Sequence, residues 1–503
     1  MIENKIIVKN SLILGFRLIV VGILSLATTR LLLANFGAQD FGLFNLIASV
    51  TVIFGILNSI LTSATFRFLA FEFGKKTDSQ LGLIFNITFH LHFIIAILII
   101  VFSEVVGINY VVGFLNIEAD NYETAKLILR VSIYSLFFLI ISTPYQGLLT
   151  ANENFREISK VEILKTFLVF SITIVFYFTK TSNLKLYGIL MMLPNIFSFL
   201  FYYYFTYKLH PEKIKLKIIT SFSTFKEILK YSSWLSLGTS GWILQRQGGD
   251  MIINHFFGTT VNASIGIANQ LNSVISVLAR NIGQAATPQI TKSVSGMDEE
   301  RKLYLIAHVS KYSFFAIAII AVPVFLEIDY FLNFWLGSYP VYTTQFCRII
   351  IISAIIEATS GSISSTIMGY SNVKYFMITS ALLSYALIPI CYLLFKIGYQ
   401  PTLIFWVNVS IQMILFFANN LLLQKIHNLH IKYLFEHSYI KILIIVLSLI
   451  PFILFEMELH PIVKIVLQEL YLAVIILFFG LSVIEKSILR NYLIVRLSKT
   501  VRL

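Results

Sequence analysis

Apolar runs of about twenty residues, separated by short polar stretches, recur from one end of the chain to the other. Each is long enough to cross the roughly 30 Å hydrocarbon core of a bilayer as a helix. Lipid offers no hydrogen-bond partner to the backbone, so a spanning segment of this kind must satisfy its own N–H and C=O groups as a helix. The pattern predicts spans near 10–33, 41–71, 83–106, 127–150, 160–179, 186–207, 230–256, 263–287, 305–326, 346–368, 373–396, 401–424, 439–456 and 461–484. The expected fold is therefore an all-α integral membrane protein with about 14 transmembrane helices. The seventh span is the least apolar, because it carries Gln245, Arg246, Gln247, Gly248, Gly249 and Asp250. A hydropathy window passes over it easily, and losing it inverts every later loop.

Composition agrees with this reading. The 503 residues are 57% hydrophobic and 13% charged, with a mean hydropathy of +0.83. Soluble domains carry about 25% charged residues. The net charge of +13 sits in the loops between spans, which points to topology and anionic headgroups and away from nucleic acid. Cys347 and Cys391 have no metal-ligand neighbours, so neither a disulfide framework nor a metal site is expected. MIENKIIVKN leads straight into an apolar stretch with no small-residue cleavage site, the pattern of a retained first helix.

Charge placement tests the count. With the N-terminus inside, Lys75 and Lys76, the lysines from Lys208 to Lys230, Arg301 and Lys302, Lys425 and Lys432, and the tail from Lys486 to Arg502 all fall on the inner side. The outer loops are acidic or neutral; the exceptions are Lys180, Lys185, Lys396, Arg348 and Lys464. Cytoplasmic loops are enriched in Lys and Arg, so an even number of spans with both termini in the cytoplasm is expected.

The two halves echo each other at an offset of about 220 residues. FGAQDFGLFN after the first span parallels FGTTVNASIGIAN after the seventh; Gly37 falls opposite Gly258, Gly42 near Gly266 and Asn45 near Asn269. Six spans separate equivalent points, so both halves enter the membrane in the same orientation. Parallel repeats of this kind are related by an axis along the membrane normal. The expected organisation is a first six-helix bundle at 1–207, a basic linker at 208–229, a second six-helix bundle at 230–424, and two additional helices with a basic tail at 425–503.

At TTRLLLANFGAQDFGLFNLIASV, LTSATFRFLAFEFGKKTDSQL and GDMIINHFFG the chain resembles the polysaccharide-unit flippases of the multidrug/oligosaccharidyl-lipid/polysaccharide exporter superfamily. The resemblance covers nearly the whole chain. It implies two helical bundles forming a V around a cavity that opens alternately to either side. It implies a polyprenyl-diphosphate-linked oligosaccharide moved from the inner to the outer leaflet of a bacterial inner (cytoplasmic) membrane, for O-antigen, capsule or exopolysaccharide. Polysaccharide polymerase and chain-length proteins are the partners it implies. Drug exporters of the superfamily often place an acidic residue in the first bundle, whereas here Asp40 and Glu72 sit at span edges. Peptidoglycan-precursor flippases share fourteen spans and a cationic cavity and stay open as an alternative.

Charges inside the spans mark candidate sites, because each costs roughly 2.5–3.5 kcal/mol at bilayer depth. Arg17, Arg67, Arg246 and Arg280 are the candidate substrate contacts; a guanidinium stays charged and matches a diphosphate with paired donors. Arg30 and Arg67 also fit snorkelling to the headgroups, and Arg246 and Asp250 fit an i,i+4 pair. Asp250 and Glu357 are assigned to charge balance or to coupling with H+ or Na+; no other cofactor is expected. His90 and His92 in the third span are read as polar packing, and Pro144, Pro194, Pro323, Pro389 and Pro451 as kinks. No P-loop, serine elbow, zinc spacing or paired-carboxylate site is present. The chain is read as a transporter and not an enzyme. A membrane enzyme of polysaccharide assembly is the second class, disfavoured because the longest outer loops reach only about twenty residues.

Overall fold

Helices follow one another along the chain: α1 (Ile2–Phe54), α2 (Ile56–Gly74), α3 (Asp78–Phe102), α4 (Tyr122–Ala151), α5 (Phe155–Thr179), α6 (Leu193–Leu209) and α7 (Gly249–Phe257). After them come α8 (Thr259–Ser295), α9 (Glu299–Leu326), α10 (Thr343–Gly369), α11 (Lys374–Lys396), α12 (Leu403–His427), α13 (Ile440–Ser448) and α14 (Pro461–Ile475). This is a computed structural model, and it describes residues 2–74, 78–217, 240–295, 299–370, 374–455 and 458–487, with Phe225, Lys226, Ile228 and Ser232. Much of the expected linker, most of 230–239 and the basic tail from 488 onward lie outside the described residues.

The all-α fold with about fourteen spans is as the apolar pattern predicts. Eleven helices among the described residues are long and apolar enough to cross a membrane. The second span is continuous with the first within one of the eleven, and the seventh and eighth are too polar or too incompletely described to count.

The joint between the first two spans differs from expectation in its physical form. Spans at 10–33 and 41–71 imply a loop near 34–40; the helix instead runs through and turns at Gly37, where φ is 72° and ψ is 177°. Gly258, between α7 and α8, has φ 78° and ψ −177°. The two glycines that the internal echo aligned thus hold nearly the same backbone conformation, in a region that L-residues with side chains avoid.

The prolines divide into two groups. Pro144, Pro323 and Pro389 lie inside α4, α9 and α11. Pro194 and Pro451 instead stand in the first turn of a new helical segment, where the missing N–H has no intrahelical partner to lose.

Two compact units make up the chain. The first comprises Met1–Leu271, Trp335–Phe346 and Met377–Val407; the second comprises Asn272–Phe334, Cys347–Phe376 and Asn408–Leu503. In the first unit α2 to α6 close around Leu69, Phe85, Tyr145, Leu148 and Tyr202. Gly147 lets Phe66 and Leu69 of α2 approach α4, since a Cβ there would stand 3.0 Å from both side chains. Close crossing recurs between the second half of α1 and α8. A Cβ on Gly42 would lie 1.9 Å from the Thr259 carbonyl oxygen, and one on Gly266 would lie 2.6 Å from the Asn45 amide carbon.

In the second unit, Phe314, Phe315 and Val322 of α9 pack with Ile442 and Ile445 of α13 and Leu472 of α14. The two additional helices are thus held by apolar burial on α9. Two of the exceptions in the charge pattern find partners here. Arg348 lies 3.4 Å from Asp329 and Lys464 lies 3.9 Å from Glu327. The Arg348–Asp329 pair is exposed and adds little stability, but both pairs neutralise cations at ends expected to face outward.

Candidate functional site

The polar stretch of the seventh span builds a site within the first unit. A π-helical turn at Leu244–Gly248 leads into α7; such turns appear often at functional positions. Gly248 and Gly249 bring α7 close to Ile388 of α11 and Ile404 of α12, where a Cβ would meet side-chain carbons at 2.5 Å and 3.0 Å. That packing buries Asp250, which is 7% exposed. Ser49 Oγ donates to Asp250 Oδ2 at 2.6 Å, and Asn262 Nδ2 donates to the Asp250 backbone oxygen at 2.9 Å. Asp250 therefore ties α7 to α1 through its carboxylate and to α8 through its backbone carbonyl.

Arg246 takes different partners. Its Nη2 donates to Asn269 Oδ1 at 3.3 Å, and the guanidinium stands 6.0 Å from the Trp242 ring. No ion pair within 4 Å joins Arg246 to Asp250, so the i,i+4 pair of the sequence reading does not form; Asp250 is taken by Ser49 and Arg246 by Asn269. A guanidinium carries five N–H donors, and this hydrogen bond uses one. Arg246 keeps donors for an anion while its charge acts on Asp250 through space. Replacing Ser49 with alanine should lower stability by about 1–3 kcal/mol, because it strips a buried carboxylate of its hydroxyl donor. Thermal unfolding in detergent measures this, and Asp250→Asn should make the Ser49→Ala loss smaller.

Arg17 lies on the α1 face that also carries Leu24, Thr28 and Leu32, and it is half-buried. Its charge reaches the Tyr202 hydroxyl, which donates to Glu162 Oε1 at 2.9 Å. Glu162 and the half-buried Lys165, one turn further along α5, were passed over in the sequence; the signal was a charge in the first turns of an apolar span. Arg67 is exposed on α2. The Arg280 side chain lies outside the described residues. Arg17 acts on Tyr202 and Arg246 bonds Asn269, with no partner in common among the described residues. His90 and His92 each bond through Nδ1 to a backbone carbonyl one turn back, at 2.7 Å and 2.8 Å, as polar packing requires.

Glu357 lies within the second unit. It lines a cavity of about 210 Å³ together with Ser276, Ser313, Ser362 and Ser365. Its carboxylate makes no ion pair or hydrogen bond with a described residue, so none of the described arginines serves as its counter-ion.

A buried charge cluster in the second unit was not anticipated. Lys311 Nζ lies 2.7 Å from both carboxylate oxygens of Glu485. Tyr312 donates to the same carboxylate, and His308 Nε2 is 3.3 Å away. Ser482 and Glu485 exchange backbone and side-chain hydrogen bonds of 2.6 Å and 3.3 Å, the Ser-x-x-Glu capping box that starts a helix. Burial pushes the Glu485 carboxyl up, but Lys311, Tyr312 and Ser482 hold it down at about 2.

No protein-family model and no curated protein matches this chain by sequence. Solved structures share its fold. A structure described as the lipid II flippase MurJ, in an inward closed conformation, is 17% identical with a TM-score of 0.66, covering 97% of this chain and 100% of that one. An inward-facing multidrug resistance MATE family transporter of the MOP superfamily is 14% identical with a TM-score of 0.65, covering 80% of this chain and 93% of that one. A MOP superfamily transporter from Pyrococcus furiosus is 14% identical with a TM-score of 0.59, covering 82% and 95%. At these identities the likeness is one of fold.

Proposed function

We propose that this chain, built on the fold those flippase and exporter structures share, is a flippase for a polyprenyl-diphosphate-linked oligosaccharide. The observation that carries the reading is coverage. The lipid II flippase matches along 97% of this chain, which leaves too little over to omit the last two spans. The two transporters reach only 80% and 82%. Arginine at bilayer depth supports an anionic cargo. In this reading Arg17, Arg67, Arg246 and Arg280 receive the diphosphate or acidic sugars, and Asp250 balances Arg246. The charged head moves by alternating access while the lipid tail stays in the bilayer. The membrane is a bacterial inner membrane, and the product is a surface polysaccharide.

The test is a flipping assay in liposomes with fluorescent polyprenyl-diphosphate oligosaccharide, outer-leaflet exposure being read by a quencher. Wild type should accelerate exposure. Arg17→Ala and Arg246→Ala should each slow it about ten- to a hundredfold, the loss expected for one charge-assisted contact. Wild-type flipping with unimpaired variants removes the arginine assignment. Failure to flip, with movement of a cationic drug against an H+ or Na+ gradient, replaces the flippase reading with an exporter.

A further inference from the structure

The chemistry of the described cavity lining beside Glu357 suits a hydroxyl-bearing part of the cargo. One face of α10 supplies Glu357, Ser362 and Ser365, with alanine and glycine at the positions between them. Ser276 of α8 and Ser313 of α9 close the lining. The small residues leave the space open and the hydroxyls make it polar. Ser276 donates to Asn272 Oδ1 at 2.9 Å and Ser362 to the Ile306 carbonyl at 3.1 Å, so both can still accept. Ser313 is only 3% exposed, lines the cavity and has no hydrogen bond to a described residue. Ser365 and the Glu357 carboxylate have none either.

Two features choose the ligand. Glu357 is the charged group of the described lining, and its carboxylate disfavours an anion placed against it. A volume of about 210 Å³ is many times the roughly 10–15 Å³ that one water needs. A coordinated metal ion needs several oxygens converging at about 2.3–2.6 Å, and a space this roomy with one carboxylate does not supply them. A ring bearing several hydroxyls meets both conditions, since it donates to the carboxylate and accepts from the serines.

We propose that this cavity seats a neutral sugar of the transported head group, with Glu357 accepting from sugar hydroxyls and Ser313 and Ser365 donating to them. This rests on the flippase reading and adds residues that recognise the sugar apart from the diphosphate. The test is saturation-transfer NMR on the full chain in detergent. The probes are free neutral di- to tetrasaccharides, with a glucuronate-bearing oligosaccharide as the anionic comparison.

At least one neutral probe should bind wild type and the anionic one more weakly. Glu357→Ala and Ser313→Ala should each weaken binding at least fivefold at an unchanged melting temperature. Ser365→Ala, at a less buried position, serves if either variant fails to fold. The assignment is overturned if no neutral probe binds wild type, if the variants bind as wild type does, or if Glu357→Ala abolishes sodium binding and leaves sugar binding intact. Glu357-dependent sugar binding without flipping of any oligosaccharide lipid sinks the flippase reading and keeps the cavity. Flipping with Glu357-independent sugar binding does the reverse.

Discussion

Gly42→Ala should unfold this protein or lower its melting temperature far more than Gly266→Ala does. Both glycines lie where the second half of α1 crosses α8, yet a methyl group meets different neighbours at each. At Gly42 the new Cβ would lie 1.9 Å from the Thr259 carbonyl oxygen and 2.8 Å from its carbon. Those are backbone atoms of a helix end and cannot rotate aside, so the two helices must part. At Gly266 the obstruction is the Asn45 amide at 2.6 to 2.8 Å, the end of a side chain that can swing away. Its cost is the Asn45 hydrogen bond to the Phe41 carbonyl, 2.8 Å long, about 1 kcal/mol. Ordinary overpacking costs about 1–3 kcal/mol, and Gly42→Ala should exceed that range. Thermal unfolding in detergent, followed by size-exclusion profile, separates the two variants. A Gly42→Ala protein that melts with wild type would mean the helices do not cross this closely.

The second large effect is expected at Lys311 and Glu485. Lys311 is 1% exposed and Glu485 is buried, on elements far apart in sequence. Removing one member of such a pair leaves an uncompensated buried charge, at a cost of about 3–5 kcal/mol. Lys311→Met and Glu485→Gln should each destabilise on that scale, while the double variant Lys311→Met/Glu485→Leu should recover most of the loss. The pH dependence has a definite sign. A carboxyl held down at about 2 in the folded chain contributes stability above its unfolded value of about 4.3 and loses it as pH falls toward 2. His308, Tyr312 and Lys441 also face the pair. Wild-type melting temperature should therefore fall steeply below about pH 4.3, and Glu485→Gln should flatten that slope. Equal slopes in the two proteins would remove Glu485 as the source.

The fold was legible because burial in lipid imposes one rule on every span, and long apolar runs express it locally. Where spans depend on distant neighbours, the pattern thins. The polar residues of α8 and of the stretch before α7 are tolerated because Asn262, Asn269 and Asp250 find partners on one another and on α1. The candidate site was legible only in part for the same reason. Arg246 and Asp250 were each visible as charges at bilayer depth, but sequence spacing suggested each other as partners, and tertiary contacts gave them Asn269 and Ser49. Lys311 was passed over because its partner comes 174 residues later. A lone lysine within an apolar span and the Ser482…Glu485 capping box were the signals available. Arg348 and Lys464 broke the charge rule on paper, and their pairing with Asp329 and Glu327 explains how outer ends can hold cations.

The corners at Gly37 and Gly258 carry a consequence of another kind. Nothing stands within 4 Å of a Cβ placed at either position, so size does not bar a larger residue there. Handedness does: the torsions belong to the region that an L-side chain closes and a mirror-image one would leave open. The echo read between the two halves recurs as a torsion angle at two sites. A comparison that weighs side-chain likeness alone has almost nothing to read there.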